Sequence, residues 1–425
     1  MKFPILTFVL ILPLFAQPQA DVKQRAKTAR DLGKQGEDAA PRLAAYVTDP
    51  DLSVRLEAVK SLDQIGGPKT VDLLVRATRD NDPEIQIRAT DGLVNAYIPG
   101  YIKGGISGTI QRVGNSVKAK FTDTNDQIVD AYVEVRPEVI EALGRLATGG
   151  ASLESRANAC RALGILRGRA AAPQLIEALH SKDDQVMYES LIALQKISDP
   201  SAGPGVVFLL RDLNSKVQIA AIETAGLLKT SEAAPALRDV LDRARDAKVK
   251  RAALASLAMI GDPADRGIFL KYLADSDDAI RTAAAEGLGR IKNQGDRTAI
   301  DRAFTDERRM NARLSLAFAE VSMGNLDTGE FSPLRYLVNT LNLKSYQKVA
   351  SAYLVELARD QNVRQAIYPL LMGATKDEKL QLGVVLAMSG DADSVSYLQS
   401  LQADSDPDVA KEGIRDLRTL RARLP

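Results

Sequence analysis

Tryptophan is absent from this sequence of 425 residues, and aromatic residues of all kinds make up only 5% of it. Hydrophobic residues nevertheless amount to 45%, so a core must be built mainly from Ala, Leu, Ile and Val. Small aliphatic side chains let helices approach to roughly 8–10 Å, which suits stacked helical pairs. The lack of tryptophan also argues against the aromatic platforms on which carbohydrate sites often depend.

Histidine and cysteine occur once each, as His180 and Cys160. Metal centres built from several such ligands are therefore excluded, and so is a disulfide within the chain. We expect Cys160 to be a small buried residue and His180 to lie in a solvated loop. No glycine-rich phosphate-binding motif stands between a strand and a helix. These absences predict a protein that is not an enzyme, with no catalytic residue, no metal site and no cofactor.

Acidic and basic residues nearly cancel, at 55 and 56, and the two signs alternate along the chain. No long-range positive field is therefore present, and nucleic acid is not expected as a partner. A pair of carboxylates acting together, as in glycoside hydrolysis, stays open as an alternative, because nothing in the sequence singles one out.

The first 20 residues differ from the rest. A lysine at position 2 is followed by an apolar stretch, residues 3–16, and then by polar residues up to Ala20. This order is typical of a secretory signal peptide, and the apolar stretch is shorter than the roughly 20 residues that span a bilayer. We expect cleavage after Ala20 and export to the periplasm or extracellular space of a bacterium, with no membrane-spanning segment left. The alternative is a buried N-terminal helix.

A short pattern recurs at intervals of about 31 residues. A capping Asp, Asn or Ser is followed by an apolar and often a basic residue, and then by a helix of small residues that ends in Leu. The capping side chain can accept a hydrogen bond from the first turn of the helix. Each unit predicts a helical hairpin that buries its apolar face only by stacking on its neighbours. The starts are Asp51, Glu84, Ser152, Asp183, Asn214, Asp246, Asp277, Asp306, Ser345, Asp377 and Asp406.

The unit resembles the short HEAT repeat of the phycobilisome-lyase type, with close examples in residues 173–194 and 277–289. The resemblance implies an all-α fold, a right-handed α-solenoid of about eleven hairpins whose second helices line a concave face. It also implies that an arginine ladder links neighbouring repeats, at Arg55, Arg88, Arg156 and Arg281. The ladder is interrupted at Met187, Gln218, Met310 and Ala410.

Two further expectations concern the ends of the repeats. Second helices are expected to end near glycine, at Gly66, Gly164, Gly261 and Gly289. At the C-terminus, a row of arginines is expected to face water as a cap: Arg415, Arg418, Arg421 and Arg423.

Residues 98–136 depart from the repeat. Alternating and β-branched residues predict three short strands at 106–113, 116–121 and 128–135, and therefore a small β insertion. The chain is thus divided into a signal peptide (1–20), N-terminal repeats (21–97), a β-hairpin-like insertion (98–136) and C-terminal repeats (137–425). A solenoid has no structural need for such an insertion, and long insertions are often functional.

Aromatic side chains ringed by charge are the usual anchors of a protein interface. The insertion and its flank supply such a set, which we predict to bind a protein partner: Tyr97, Tyr101, Lys103, Arg112, Lys118, Lys120, Phe121 and Tyr132. The alternative is that the insertion is an ornament or a local cap. A second, shorter departure at 323–332 precedes Tyr336, Tyr346 and Tyr353, for which core packing is favoured over a contact surface.

These observations favour a non-enzymatic protein-binding scaffold or adaptor of the cell envelope, which binds through the concave second-helix face and the insertion. The alternative is a ligand-handling or lyase-like factor of the tetrapyrrole type, which the resemblance suggests but export and scarce aromatics disfavour. HEAT-like deoxyhypusine hydroxylases share the fold, but their iron site needs repeated His-Glu pairs that this sequence lacks. A role like that of HEAT-like DNA glycosylases is disfavoured by the balanced charge.

Overall fold

The computed structural model describes residues 19–101, 127–130 and 132–424, and all regular structure within them is helical. The chain divides into two compact units. The described residues of the first unit are 19–101 and 149–155, and those of the second are 127–130, 132–148 and 156–424. Each unit is built from helical hairpins, so the fold is an all-α solenoid. Among the described helices, none has both the length and the apolar character needed to cross a membrane.

The helices alternate between a shorter first helix and a longer second helix. Helix α1 (Gln19–Gly33) comes before the first pair. The first helices are a 3₁₀ segment (Glu37–Leu43), α3 (Val71–Ala77), α5 (Pro137–Gly149), α7 (Ala172–Ala178), a 3₁₀ segment (Pro200–Arg211), α10 (Ala234–Arg243), α12 (Arg266–Tyr272), α14 (Arg297–Asp306), α16 (Pro333–Thr340), α18 (Gln361–Leu371) and α20 (Ser394–Gln402). The second helices are α2 (Leu52–Ile65), α4 (Pro83–Tyr97), α6 (Leu153–Ile165), α8 (Asp184–Ile197), α9 (Ser215–Leu227), α11 (Ala247–Ile260), α13 (Asp278–Ile291), α15 (Met310–Ser322), α17 (Gln347–Leu357), α19 (Lys376–Ser389) and α21 (Pro407–Arg421).

Side-chain caps start most second helices where the repeat predicts them. The caps at Asp51, Asp183, Asn214, Asp246, Asp277 and Asp406 accept backbone N–H groups of the first turn, which stabilises each helix by about 1 kcal/mol. Other starts lie a few residues away from the predicted ones. Helix α19, for example, begins after Thr375 rather than Asp377, because Thr375 and Glu378 satisfy each other's backbone groups in a capping box.

Basic residues near the start of second helices link one repeat to the next. Arg55 Nε donates to Asp80 Oδ2 at 2.6 Å, and Arg281 Nε donates to Glu307 Oε2 at 2.7 Å. The expected interruption at Met310 is misplaced, because α15 begins at that residue and the corresponding position is Arg313. Its guanidinium lies 5.0 Å from the ring centre of Phe304 and 4.9 Å from that of Tyr336, so a cation–π contact is found there.

Glycines inside the second helices let consecutive second helices touch. A Cβ built on Gly164 would lie 2.7 Å from the Cα of Ala193, and one on Gly289 would lie 2.8 Å from the Cα of Ala319. The helices end near the predicted glycines: Gly66 and Gly261 are the C-caps of α2 and α11, while Gly164 and Gly289 lie in the last turn of α6 and α13. Because Gly164 and Gly289 have no side chain, the backbone of the next second helix can pass close to them.

The predicted β insertion lies mostly in residues 102–126 and 131, outside the described residues. Its described end is not a strand, so the prediction of a strand at 128–135 is wrong. The N–H of Val129 donates to the carbonyl of Ile165 at 2.9 Å, and that of Val133 donates to the carbonyl of Asp130 at 3.0 Å. The N–H groups of Val129 and Val133 are therefore bonded to a helix end and to a turn, and not to a neighbouring strand. The repeat count, the superhelix hand and the remaining strands stay predictions.

The glycine contacts predict that two glycine-to-alanine substitutions change the free energy of unfolding differently. We expect Gly289→Ala to lower the free energy of unfolding by about 1–3 kcal/mol, because the added methyl would meet the backbone of Ala319. The matched variant is Gly267→Ala on α12, where no atom lies within 4 Å of the new Cβ. It should be neutral or stabilising by up to about 1 kcal/mol, since alanine favours helix. Urea unfolding followed by circular dichroism measures both, and equal effects would contradict the close approach.

Candidate functional site

Three of the predicted partner-binding residues, Tyr97, Tyr101 and Tyr132, lie in the described part of the chain. Tyr97 ends α4, and both it and Tyr101 are half-buried in the first unit. Tyr132, in the second unit, is exposed, and its hydroxyl donates to Asp130 at 3.0 Å. The others lie outside the described residues: Lys103, Arg112, Lys118, Lys120 and Phe121. Binding of a partner by this set stays a prediction.

The described end of the insertion, residues 127–130 and 132–136, which we call the strap, contacts the last second helix of its unit. Arg415 on α21 donates to Asp130 Oδ1 at 2.5 Å, although the two residues are 285 positions apart in the chain. Arg423 donates to the carbonyl of Ala387 at 2.6 Å. The expectation that the C-terminal arginines simply face water is therefore wrong for Arg415 and Arg423.

A cavity of about 200 Å³ lies between the strap, α5 and the turn that follows α6. Its wall combines apolar side chains, such as Val129, Val135 and Ile140, with the cationic Arg167 and Arg169. Pockets that enclose drug-sized ligands measure about 300–1,000 Å³. A ligand of several rings must therefore bind elsewhere on this unit.

The side of the second helices that their first helices leave uncovered is the larger candidate surface, and we call it the inner face. It is formed by residues nine and thirteen positions after each N-cap, as Glu286 and Arg290 follow Asp277. Some of these side chains, such as Leu227 and Met388, are exposed although they are apolar. In the second unit the set, of which Ile192 and Phe318 are buried, is Ile192 and Lys196, Glu223 and Leu227, Ala255 and Met259, Glu286 and Arg290, Phe318 and Ser322, Val355 and Arg359, Val384 and Met388, and Arg415 and Thr419.

Contacts across intervening helices show that this inner face is concave. Arg290 on α13 donates to both carboxylate oxygens of Glu356 on α17, at 2.8 Å each, past the whole of α15. A flat stack with about 8–10 Å between neighbouring helices would hold the axes of α13 and α17 about 16–20 Å apart. The second helices of this unit must therefore curve around a groove.

A buried polar cluster lies at the centre of this groove. Arg290 also donates to Glu286 Oε2 at 3.1 Å, and the Tyr353 hydroxyl donates to Glu286 Oε1 at 2.5 Å. The ring of Phe318 stacks on that of Tyr353, with centroids 5.0 Å apart. Two carboxylates thus share one guanidinium and one phenol. Tyr353 combines core packing with a polar contact, a role that the sequence analysis did not foresee.

The ionised side chains of the cluster stabilise one another's charged forms. Burial opposes the charge of Arg290, but the hydrogen bonds and the charges of Glu286 and Glu356 outweigh it and raise the pKa of the guanidinium. Burial likewise works to raise the pKa of Glu356, but Arg290, with a smaller effect from Lys229, lowers it overall. Burial and Glu286 together raise the pKa of Tyr353. Arg290 and Glu356 are therefore charged, and Tyr353 neutral, around neutral pH.

Glu223, on α9, differs from these carboxylates because no described residue forms an ion pair with it. Its side chain is exposed, yet the protein atoms around it raise the pKa of its carboxyl through desolvation. Both observations are explained if Glu223 faces the narrow groove, where water reaches it but protein surrounds it. A carboxyl in this setting can hold or release a proton more readily near neutral pH than an ordinary glutamate.

Sequence reasoning missed this set of residues, although a signal for it exists. Counted from the N-caps, most inner-face positions of the central repeats are apolar or small, whereas Glu223, Glu286 and Arg290 are charged. Charged residues that recur at one register of a repeat mark a shared surface. The partner of Arg290 could not be found this way, because Glu356 lies two repeats further along the chain.

Family comparisons agree with this architecture. The model described as HEAT repeats matches residues 11–94, 204–289 and 243–317, and the model described as PBS lyase HEAT-like repeat matches residues 155–181. Together the two cover more than half of the chain. It is a HEAT-repeat protein of the lyase-like type. The resemblance drawn from the repeat unit is thereby confirmed.

Individual relatives are more distant. This HEAT-repeat chain is 30% identical over 184 residues to the phycocyanobilin lyase subunit alpha of Nostoc sp. (strain PCC 7120 / SAG 25.82 / UTEX 2576). The match spans 40% of this chain and 65% of the relative, so about a third of the relative's length has no counterpart in it.

Two solved structures align with this chain. The complex of CpcE and CpcF of phycocyanin lyase from Nostoc sp. PCC7120 gives a TM-score of 0.37 at 18% identity, over 64% of this chain and 94% of that one. An engineered protein gives a TM-score of 0.39 at 20% identity, over 92% of this chain and 99% of that one.

One expectation from the sequence must be corrected. The scarcity of histidine and cysteine predicted a protein that is not an enzyme, but the curated relative is a subunit of a lyase. The prediction is wrong because it looked for metal ligands and nucleophiles.

The last second helix of this HEAT-repeat protein contains a buried carboxyl without an ion-pair partner. Asp416 on α21 is only 6% exposed, and it faces Gly383 on α19, whose built Cβ would lie 2.5 Å from Asp416 Oδ2. Burial, with a contribution from Glu412, raises the pKa of Asp416 to about 7, against the opposing charge of Arg415. Asp416 thus changes charge within the physiological pH range.

We expect this group to make stability fall as the pH rises. The pKa of Asp416 is about 7 in the folded protein, above the ordinary 3.8 of an aspartate carboxyl. The folded state therefore binds this proton more tightly than the unfolded state does. The resulting stability is complete below about pH 4 and is lost as the pH rises through 7. The loss is at most about 4 kcal/mol. Asp416→Asn should therefore raise the Tm at pH 8 more than at pH 5. Asp242→Asn, at an exposed position, is the control, and an unchanged pH profile in Asp416→Asn would contradict the assignment.

Proposed function

We propose that this protein is a lyase-like factor that handles open-chain tetrapyrroles, with the inner face of residues 156–424 as the substrate surface. The observation that carries the proposal is its 30% identity over 184 residues to a phycocyanobilin lyase subunit. The groove supports it, because its charged and apolar side chains correspond to the chemistry of such a substrate.

An open-chain tetrapyrrole presents N–H groups on one edge, apolar ring substituents, and two propionate carboxylates. Carboxylates on the inner face, above all Glu223, can accept hydrogen bonds from pyrrole N–H groups. Leu227 and Met259 offer apolar contact on consecutive second helices. The cavity beside the strap is too small for four rings at about 200 Å³, so we place the substrate on the inner face. The residues of the groove therefore fit this class of substrate.

Within the groove, the residues have separate tasks. Arg290, Glu286 and Glu356 satisfy one another, so they shape the surface and hold its curvature. Glu223 is the group suited to proton transfer, because desolvation raises the pKa of its carboxyl and no cation holds it as a carboxylate. We assign to it the exchange of a proton with the bound substrate during bond formation or cleavage.

The proposal includes a second protein chain. The curated relative is, by its name, one subunit of a lyase, and HEAT repeats present extended surfaces for other proteins. We propose that this chain likewise acts with a protein partner, for which the insertion at 98–136 and its aromatic residues remain the predicted contact.

Binding is tested by titrating the purified chain with phycocyanobilin and recording visible circular dichroism. The wild-type protein should give a saturable signal. Leu227→Asp should weaken binding by about tenfold or more, because it places a charge against an apolar part of the substrate. Leu213→Asp is the matched control, since Leu213 is fully exposed outside the inner face.

Two outcomes would contradict the proposal. Absence of any saturable signal for the wild-type protein would show that it does not bind this substrate. Equal losses in Leu227→Asp and Leu213→Asp would show that the inner face is not where the substrate binds.

Export is a separate proposal. We propose that residues 1–20 are a signal peptide and that the mature protein acts in the bacterial envelope or outside the cell. The proposal is supported by the order of a basic start, an apolar stretch and a small residue at Ala20. Mass spectrometry of the protein from a fractionated cell should find a mature chain that begins at Asp21 outside the cytoplasm. An intact Met1 in the cytoplasmic fraction would overturn it.

A further inference from the structure

The strap contacts two helices of the second unit that lie far apart in the chain. The N–H of Val129 donates to the carbonyl of Ile165, the last residue of α6, at 2.9 Å. The carboxylate of the next strap residue, Asp130, accepts a hydrogen bond from Arg415 on α21 at 2.5 Å. Two consecutive residues of the strap therefore connect the end of α6 to α21.

This connection shows how far the second unit curves. Seven other second helices lie between α6 and α21 in the chain. A flat stack with about 8–10 Å between neighbouring axes would hold α6 and α21 roughly 65–80 Å apart. Consecutive Cα atoms are only about 3.8 Å apart, so two adjacent strap residues could not reach across such a stack. The second helices must therefore curve into a closed loop, whose ends meet at the strap in what we call the seam.

The strap is held differently on the two sides of the seam. On the side of α5 and α6 the contacts are largely apolar, because Val129 is only 4% exposed and Val135 lines the same cavity as Ile140. On the side of α21 the contact is an ion pair, in which the side chain of Arg415 is 53% exposed and that of Asp130 32%. No other hydrogen bond or ion pair between described residues joins α21 to the strap or to α6. Exposed ion pairs contribute little stability and are weakened by salt, so the α21 side is the weaker one.

We propose that the ion pair between Asp130 and Arg415 is a clasp at which the second unit opens, while the strap stays on α5 and α6. Arg415 stands at an inner-face position, nine residues after the N-cap Asp406. The closed clasp therefore holds the strap against the inner face of α21, and opening removes it from there. The clasp controls access to this end of the inner face, whichever ligand the inner face binds.

The clasp is tested by measuring a distance across the seam. Spin labels are attached to Ala170→Cys, in the turn after α6, and to Lys411→Cys on α21, both at exposed positions. Double electron–electron resonance at low salt should give mainly a short distance when the native pair is present. Arg415→Asp sets two carboxylates opposite each other. It should add a longer distance and raise the ratio of open to closed molecules by about fivefold or more.

A charge swap and a control separate the clasp from other effects of the substitution. Asp130→Arg combined with Arg415→Asp restores an attractive pair, so the ratio should return to within about twofold of its original value. Arg421→Asp makes the same change of charge at another exposed position of α21 and should leave the ratio unchanged. With the native pair, about 1 M salt reduces the screening length to about 3 Å and should also favour the longer distance.

Several outcomes would overturn the proposal. If Arg415→Asp keeps its helical circular dichroism and the original distance, the pair is not a clasp. A longer distance that persists in the charge swap, or that also arises in Arg421→Asp, would show that the pairing of Asp130 with Arg415 is not the cause. If Arg415→Asp does not fold, the salt titration decides, and an unchanged distance at high salt would contradict the clasp. None of these results depends on tetrapyrrole binding, so the proposed function is tested separately.

Discussion

The close approach of one second helix to the next is the constraint on which the second unit depends. At Gly164 and Gly289 a single methyl group would meet the backbone of the neighbouring helix. Such contacts bring second helices together more closely than bulky side chains would allow, and they tilt the stack toward its second-helix side. The groove and the ion pair between Arg290 and Glu356 follow from this curvature, because neither could form in a flat array.

The polar cluster in the groove is costly as a purely structural device. Buried charges lose their hydration, and replacing a buried ion pair with apolar residues is often neutral or stabilising. The side chain of Arg290 is 14% exposed and that of Glu286 15%, close to the 16% and 8% of Arg55 and Asp80 in a link between repeats. The cluster is therefore first a link between second helices. Under the proposed function it also holds fixed charges beside the substrate.

Much of the fold could be predicted from the sequence, because each repeat is held together by interactions between residues that are close in the chain. The Asp and Asn caps and the arginine links at Arg55 and Arg281 are local or next-neighbour interactions. Gly164 and Gly289 do lie near the helix ends, as predicted, but their close contact with the next second helix could not be predicted, because it depends on a neighbouring helix. Arg415 was misjudged for a related reason, since its partner Asp130 lies 285 positions away. The candidate site could not be predicted for the same reason. Its central ion pair joins residues two repeats apart, and the curvature of the stack depends on several repeats together.

Protection of the inner face by a bound tetrapyrrole tests the central claim most directly. The only native cysteine, Cys160, is buried, and burial raises the pKa of its thiol to about 12, so it contributes little background to thiol labelling. Leu227→Cys places a thiol in the groove, and Lys182→Cys places one on an exposed turn after α7. With saturating phycocyanobilin, labelling of position 227 should slow by about tenfold or more while position 182 is unaffected. Equal labelling rates with and without ligand at position 227 would show that the groove is not the binding surface.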